Sequence, residues 1–344
     1  MQKENIKNLS LQELQEVLSS WQEKLFHARQ VFRWIYKKGS EDFSLMSDLP
    51  PALRKKLGEK FILNSLQLSK AVKSSDGTEK FLFELADKHL IEAVSIPAKG
   101  RVTGCISTQA GCKFGCAFCA SGKLGFRRNL AAAEILDQVL YLKNKSSAKE
   151  LTHIVFMGTG EPFDNYKEVL KAVRMINSPD GLNIGARRIT ISTAGLIPGI
   201  EKLSKEGLQI ELSVSLHAAD NKTRDAIMPI NKIYPLEDLI SSCRAYFKAT
   251  NRQVTFEYVL IQGLNSNLQS VQKLGRILTG MDCKVNLIPA NPIAEQRVFP
   301  PQSKDIALFK NTLLKIGVNV TLRRPRGQDI DAACGQLRLK YEKK

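Results

Sequence analysis

Gly111-Cys112-Lys113-Phe114-Gly115-Cys116-Ala117-Phe118-Cys119 gathers three cysteines into eight residues, and the fold is read outward from it. The Cys-x3-Cys-x2-Cys spacing lets one glycine-containing loop wrap three thiolates around a metal centre. A closed structural site needs four ligands, so three thiolates fit an iron–sulfur cluster that keeps one iron open. The competing reading is a structural zinc. Zinc is normally tetrahedral with four protein ligands, built from paired Cys-x2-Cys or Cys/His knuckles that this chain lacks.

At 344 residues the chain can bury the core of one large α/β unit with a smaller appendage. Its 43% hydrophobic and 25% charged residues are ordinary for a soluble globular protein and do not suggest disorder. The N-terminus lacks an apolar signal core, and no run of about 18 apolar residues could cross a bilayer. A cytoplasmic protein with no membrane association is expected. Seven cysteines, odd in number and unevenly spaced, argue against a secreted disulfide framework and for metal or redox chemistry. The net charge of +17 and pI near 9.6 call for a polyanionic partner, most simply a nucleic acid. Basic residues cluster at Arg54, Lys55, Lys56 and Lys60; at Lys123, Arg127 and Arg128; at Arg187 and Arg188; and at Arg323, Arg324 and Arg326. Any one cluster reads first as a solvated face; together they point to RNA or DNA.

Upstream of the cysteines, Ser10 can cap a helix carrying Leu11, Leu14 and Val17. Val31 to Tyr36 gives a second helix and Leu53 with Leu57 a third, after Pro50-Pro51. Residues 1–75 therefore read as a small helical, RNA-contacting domain, in which Trp34 and Tyr36 serve either RNA contact or the core. Alternation over 80–85 and 90–96 predicts a β-hairpin around Asp87-Lys88, an extension spanning 76–100. From 101 to 344 strands and amphipathic helices take turns. Strands are predicted near 102–108, 152–157, 187–193, 209–215, 253–261 and 283–289, with helices between and after them. Such βα repeats, six in number, imply an α/β fold whose parallel sheet curls into a partial barrel, with ligands at the C-terminal strand ends.

Further motifs fall at those strand ends. Gly158-Thr159-Gly160-Glu161-Pro162 lets backbone approach a ligand, and Glu161 can accept from an ammonium group. With no third spaced glycine it is not a dinucleotide fingerprint. Ser192 ends the next strand, Ser215-Leu216-His217 the one after, and Asn291 follows the last; hydroxyl, imidazole and amide groups suit carboxylate, ribose and adenine. His217 reads equally as a structural, hydrogen-bonded histidine. Cys243 and Cys283 read as small buried hydrophobes. Cys105 enters the cysteine loop, and Cys334 lies in Asp331-Ala332-Ala333-Cys334-Gly335-Gln336-Leu337, where an exposed thiolate can act as nucleophile.

The triplet, with Phe118 before its last cysteine, resembles the signature of the radical S-adenosylmethionine enzymes. That resemblance implies a [4Fe-4S] cluster on Cys112, Cys116 and Cys119 whose open iron chelates S-adenosylmethionine, and a dry pocket for the 5′-deoxyadenosyl radical it generates. Taken with Gly-Glu-Pro, Ser-Leu-His, Asn-Pro and Asp-Ala-Ala-Cys-Gly-Gln-Leu, the whole chain is similar to the dual-specificity methyltransferases acting on adenosine C2 in 23S rRNA and tRNA. It departs from that family's pattern at Thr159, commonly methionine, and at Ala290, commonly bulkier. A sister family that methylates C8 typically has Gly-Glu-Ala, where Gly160-Glu161-Pro162 stands here.

The resemblance implies two S-adenosylmethionine molecules per turnover. One methylates Cys334; the other is cleaved to the radical that activates the S-methyl group for addition to C2. Cys105 then resolves the adduct through a transient disulfide, and Glu92 accepts a proton. It also implies cofactor contacts at Gly160, Glu161, Ser192, Ser215, Leu216, His217 and Asn291, a C-terminal catalytic loop, and an electron donor of the flavodoxin type. Oligomeric state is not implied. A non-catalytic, zinc-stabilised RNA-binding protein is the contrasting expectation.

Overall fold

The computed structural model describes residues 3–123, 125–147, 150–292, 298–323 and 326–330. The chain opens on a short strand, β1 (Glu4–Asn5), paired in parallel with β2 (Phe61–Ile62), so the two ends of the helical unit clasp each other. Between them lie α1 (Leu11–Ser20), α2 (Phe26–Phe32) and α3 (Pro51–Lys60). Ser10 and Glu13 form a reciprocal capping box that satisfies the first N–H groups of α1. Tyr36 is fully buried, which settles it as core; Trp34 is half-buried, with Lys38 Nζ 3.3 Å over its ring.

Then follow β3 (Leu66–Lys73), β4 (Glu79–Leu85), β5 (Leu90–Ala98) and β6 (Arg101–Cys105). A small antiparallel pair, β7 (Gln109–Gly111) and β8 (Phe126–Asn129), encloses the cysteine loop and α4 (Ala120–Lys123). Thereafter the chain alternates: α5 (Ala132–Lys145), β9 (His153–Phe156), α6 (Tyr166–Asn177), β10 (Ile189–Thr193), α7 (Ile197–Leu203) and β11 (Glu211–Ser215). It continues through α8 (Asn221–Ile227), α9 (Leu236–Thr250), β12 (Val254–Leu260), α10 (Leu268–Leu278), β13 (Cys283–Pro289), α11 (Ser303–Lys315) and β14 (Asn319–Leu322).

One ten-stranded sheet has the order β14-β13-β12-β11-β10-β9-β6-β5-β4-β3. Strands from β6 to β14 pair in parallel, and β3 to β6 pair antiparallel. The parallel strands form the expected α/β partial barrel, and the antiparallel hairpin strands join the same sheet. Two strands of this sheet went unread in the sequence: β3, an antiparallel neighbour for the hairpin, and β14, which closes the last crossover.

Register separates the two faces of this sheet. Ile154, Phe156, Ile191, Leu212, Val214, Phe256, Val285 and Leu287 are buried on the face covered by helices, where Tyr141 of α5 meets Phe81 and Phe83 edge-on. The alternate residues carry Cys105, Thr190, Ser192, Ser213, Ser215, Thr255, Glu257, Asn286 and Thr321 in adjacent register. Cross-strand bonds confirm that they share a side: Asn286 donates to Glu257 (2.8 Å) and Thr321 to Asn286 (3.0 Å). Parallel strands buried equally on both faces read as continuous apolar runs; these alternate because the inner face is a polar lining. Burial pushes the Glu257 carboxyl above its ordinary range, with the Asn286 bond opposing.

The helical unit is fused to the barrel rather than tethered to it. Asp137 of α5 is buried, pairs with buried Lys7 (2.8 Å), and accepts from Asn5 (3.2 Å) and from the Ser65 backbone (2.9 Å) and hydroxyl (2.6 Å). A contiguous apolar core runs from Ile6 and Leu14 through Phe81 and Phe156 to Val320.

Candidate functional site

The cysteine loop is shaped by a backbone crossing. Gly111 has φ +89°, and a Cβ there would lie 1.8 Å from the Gly125 carbonyl, which accepts from Cys112 N–H (3.1 Å). Only glycine permits that approach. Beyond it Cys119 N–H bonds the Cys116 carbonyl (3.0 Å), and Ala117 N–H bonds the carbonyl of Ile227 at the end of α8 (2.9 Å). Lys113 ties the loop to Asp164. Cys112, Cys116 and Cys119 are all half-buried.

Phe118 is the pivot of the loop. Its ring meets His217 edge-on at 4.6 Å, and it packs both on Ala218, Ile227 and Met228 and on Val259, Ile261 and Ala290. The aromatic residue before the last cysteine thus seats the loop over the ends of β11, β12 and β13.

The donor set fits a cluster. Burial pushes the Cys116 thiol up to about 12, the neighbouring Cys112 and Glu161 add to the shift, and only the Arg224 charge opposes it among the charged neighbours. A thiolate at that place needs an added cationic group, which iron supplies. Among the described residues no three His, Cys, Asp or Glu side chains converge tightly enough for a single metal ion. A multi-iron cluster holds each thiolate on a separate iron and so spaces them more widely.

The Gly158–Pro162 turn lies against the strand leaving β6. A Cβ on Gly158 would stand 2.6 Å from Ile106 backbone, and one on Gly160, at φ +106°, 2.5 Å from Gln109. Thr159 is fully buried, its carbonyl accepting from Thr108 (2.9 Å) and Gln109 (3.1 Å) N–H groups. Glu161 is buried too, and links two strand ends: its oxygens accept from Phe163 N–H (3.0 Å) and Ala194 N–H (2.6 Å). Burial raises its carboxyl to about 7 against the pull of those two bonds. The Thr193 side chain also hydrogen-bonds this carboxyl group.

Ser192 and Ser215 are half-buried at their strand ends, Leu216 is fully buried, and Asn291 is exposed after β13. His217 is buried with φ +56°, an uncommon backbone for a residue with a side chain. Its Nδ1 accepts from Val259 N–H (3.0 Å), and burial, then the Arg224 charge, depress it to about 3. The imidazole is neutral with its hydrogen on Nε2. Asn265, fully buried, fixes that strained turn by donating to the His217 (2.7 Å) and Val259 (2.6 Å) carbonyls. Its sequence context gave no signal.

Cys105 ends β6 opposite Val94, and Glu92 lies two residues along β5 on the same inner face. Glu92 is buried and paired with fully buried Lys80 (2.9 Å), a partner that the sequence did not suggest. Ser107 Oγ donates to the Glu92 carbonyl (2.6 Å) and accepts from Thr159 N–H (2.9 Å), joining the hairpin to the glycine turn. Cys334 and Arg324 lie outside the described residues. The segment before Cys334 is anchored: Asp329 accepts from Ser74 and from Ser75 N–H (3.0 Å), and Gly327 N–H donates to Asp76 (3.0 Å). Cys243 and Cys283 are buried.

Of the basic clusters, Lys55, Lys60, Arg127, Arg187, Arg188, Arg323 and Arg326 are exposed. Arg128 is not available in the same way: it forks onto Glu134 (2.7 and 2.8 Å) and pairs with Asp87. No helix of the described residues is long and apolar enough to cross a membrane.

Comparison with known proteins agrees with this geometry. A family model for the ribosomal RNA large subunit methyltransferase N-terminal domain matches residues 4–63, and that of the radical SAM superfamily matches 106–272. The chain is similar to the probable dual-specificity RNA methyltransferase RlmN of Clostridium novyi (strain NT), 45% identical over 338 residues and 98% of each chain. It is equally similar to that of Geobacillus kaustophilus (strain HTA426), 45% identical over 341 residues, covering 98% of this chain and 93% of the other. Among solved structures, a radical SAM methyltransferase from Sphaerobacter thermophilus matches with TM-score 0.94 and 42% identity, covering 97% of this chain and 98% of that one.

Proposed function

The chain belongs to the RlmN family of dual-specificity RNA methyltransferases in the radical SAM superfamily, and on that premise we propose that it methylates adenosine C2 in both 23S rRNA and tRNA. Membership implies a [4Fe-4S] cluster and S-adenosylmethionine. Cys112, Cys116 and Cys119 would hold the cluster; Gly160, Glu161, Ser192, Ser215, Leu216, His217 and Asn291 would hold the cofactor. When bound, that pair supplies one-electron cleavage of the sulfonium, with the electron drawn from a cytoplasmic donor of the flavodoxin type.

The remaining work falls to the chain's own groups. Cys334 would take a methyl group from a first S-adenosylmethionine by displacement, so that two are consumed per turnover. Cys105 would release the methylated base by forming a transient disulfide with Cys334. Glu92 would accept the proton, held in position by Lys80. His217, neutral, cannot repel the cofactor's cationic sulfur and presents an Nε2 hydrogen to its oxygens.

The observation that carries this reading is the Phe118–His217 contact. It brings the cysteine loop onto the strand ends that bear the other motifs, although those motifs are spread over more than a hundred residues. The test is anaerobic reconstitution with iron, sulfide and S-adenosylmethionine, then incubation with protein-free 23S rRNA fragment or tRNA and nucleoside mass spectrometry. 2-Methyladenosine in both RNAs is expected. 8-Methyladenosine, or a colourless protein carrying zinc, would refute it. RNA affinity should fall steeply with salt as phosphate contacts release counterions.

A further inference from the structure

Arg224 is the largest fully buried side chain among the described residues. It sits on α8, whose start is capped by Asp220 accepting from Thr223 N–H (2.8 Å). Its guanidinium donates to the carbonyls of Leu216 (3.1 Å), Ala194 (2.8 Å) and Ser215 (3.2 Å), and to Asn231 Oδ1 (2.8 Å). One planar fork thus bridges the loop after β10 to the loop after β11. Gly195, at φ +112°, makes room: a Cβ there would stand 3.2 Å from Nη2.

All four acceptors are neutral, and among the described residues no carboxylate forms an ion pair with Arg224. Asp225 on the same helix is a counter-charge, but it reaches Arg224 only through Asn231, which donates to it (2.8 Å), so the buried cation can still take a further anionic group nearby. The same short helix leads to one. Ile227, three residues on, accepts from Ala117 N–H (2.9 Å), and Ile227 and Met228 pack against Cys116 and Ala117.

We propose that Arg224 is a positioning residue that locks the two cofactor loops to the cysteine loop and supplies the fixed positive charge opposite the iron–sulfur cluster. This rests on the reading that the three cysteines hold such a cluster. A fixed cation beside the site stabilises the reduced, more negative state and so raises the reduction potential. Lysine at 224 keeps the charge but, with one nitrogen, cannot span the four acceptors; glutamine loses the charge.

The experiment compares wild type, R224K and R224Q after anaerobic reconstitution. Iron and sulfide are assayed, the cluster midpoint is titrated by electron paramagnetic resonance without S-adenosylmethionine, and S-adenosylmethionine affinity is measured by equilibrium dialysis. R224K is expected to keep the wild-type midpoint while binding S-adenosylmethionine at least tenfold more weakly. R224Q is expected to shift the midpoint to more negative potential. Equal midpoints in R224K and R224Q, a displaced midpoint in R224K, or unchanged S-adenosylmethionine affinity in R224K would each overturn the proposal. If R224Q does not load iron, the two R224K results decide alone. Wild type that takes up no iron would overturn the cluster reading itself, and this proposal with it.

Discussion

Replacing Asp137 by alanine tests whether the helical unit and the barrel are one folding body. Asp137 and Lys7 are only 4% and 2% exposed, so the substitution leaves an ammonium group buried without its partner. Removing one member of a buried pair costs about 3–5 kcal/mol. The Ser65 N–H and hydroxyl and the Asn5 amide also lose their acceptor, so the upper end of that range is expected. At about 2 cal/mol/K of unfolding entropy per residue, a 344-residue chain loses roughly 1.4 °C per kcal/mol, so a fall of about 6 °C should be seen in thermal unfolding. Adding Lys7→Met removes the orphaned charge, and the double variant D137A/K7M should recover most of the loss, because apolar replacement of a whole buried pair is often neutral. A drop under about 2 °C in D137A, or a double variant no better than D137A, would refute the claim that this pair closes the junction.

Glu161 makes stability depend on pH. Its folded carboxyl titrates at about 7 against an ordinary 4.5, so between those values the folded protein holds a proton that the unfolded chain has released. Stability before iron loading should therefore fall as pH rises through that window, by roughly 3 kcal/mol in all, and E161Q should lack that fall. Parallel urea midpoints of the two proteins from pH 5 to 8 would rule Glu161 out. Gly160→Ala meets Gln109 at 2.5 Å with a strained φ, whereas Gly100→Ala has a positive φ but open space around it. Backbone strain from the positive φ is common to both variants, so the Gln109 clash separates them: G160A should weaken S-adenosylmethionine binding at least tenfold in equilibrium dialysis and G100A should leave it unchanged. Cys334→Ala should abolish RNA methylation in a single-turnover assay while RNA affinity by filter binding stays within about twofold.

The alternation of strand and helix from β9 to β13 was legible because each helix buries one apolar stripe against one apolar strand face. β3 escaped because it is an edge strand whose Gln67, Leu68 and Ser69 are all exposed, leaving little alternation to read. β14, a four-residue edge strand, and the short pair β7 and β8 carry too few residues for a period to appear. At the site, residues in dense local motifs were named from the sequence. Arg224, Lys80, Ser107 and Asn265 were not, because their roles lie in contacts across 6 to 52 residues that no local spacing records. Arg128 was grouped with the surface cations, although it forks onto Glu134 six residues on and also pairs with Asp87, 41 residues back. Cys334 was read as a candidate nucleophile from its glycine and acidic flanks, whereas the roles proposed for Cys105 and Glu92 came from family resemblance.

The proposed route carries the methyl carbon to adenine from a cysteine sulfur by radical chemistry at the three-cysteine loop. Reaction with S-adenosylmethionine bearing a trideuterated methyl group, followed by nucleoside mass spectrometry, tests it most directly. 2-Methyladenosine whose methyl group carries two deuterons is expected, the third having been abstracted. A methyl group transferred with all three deuterons would contradict it.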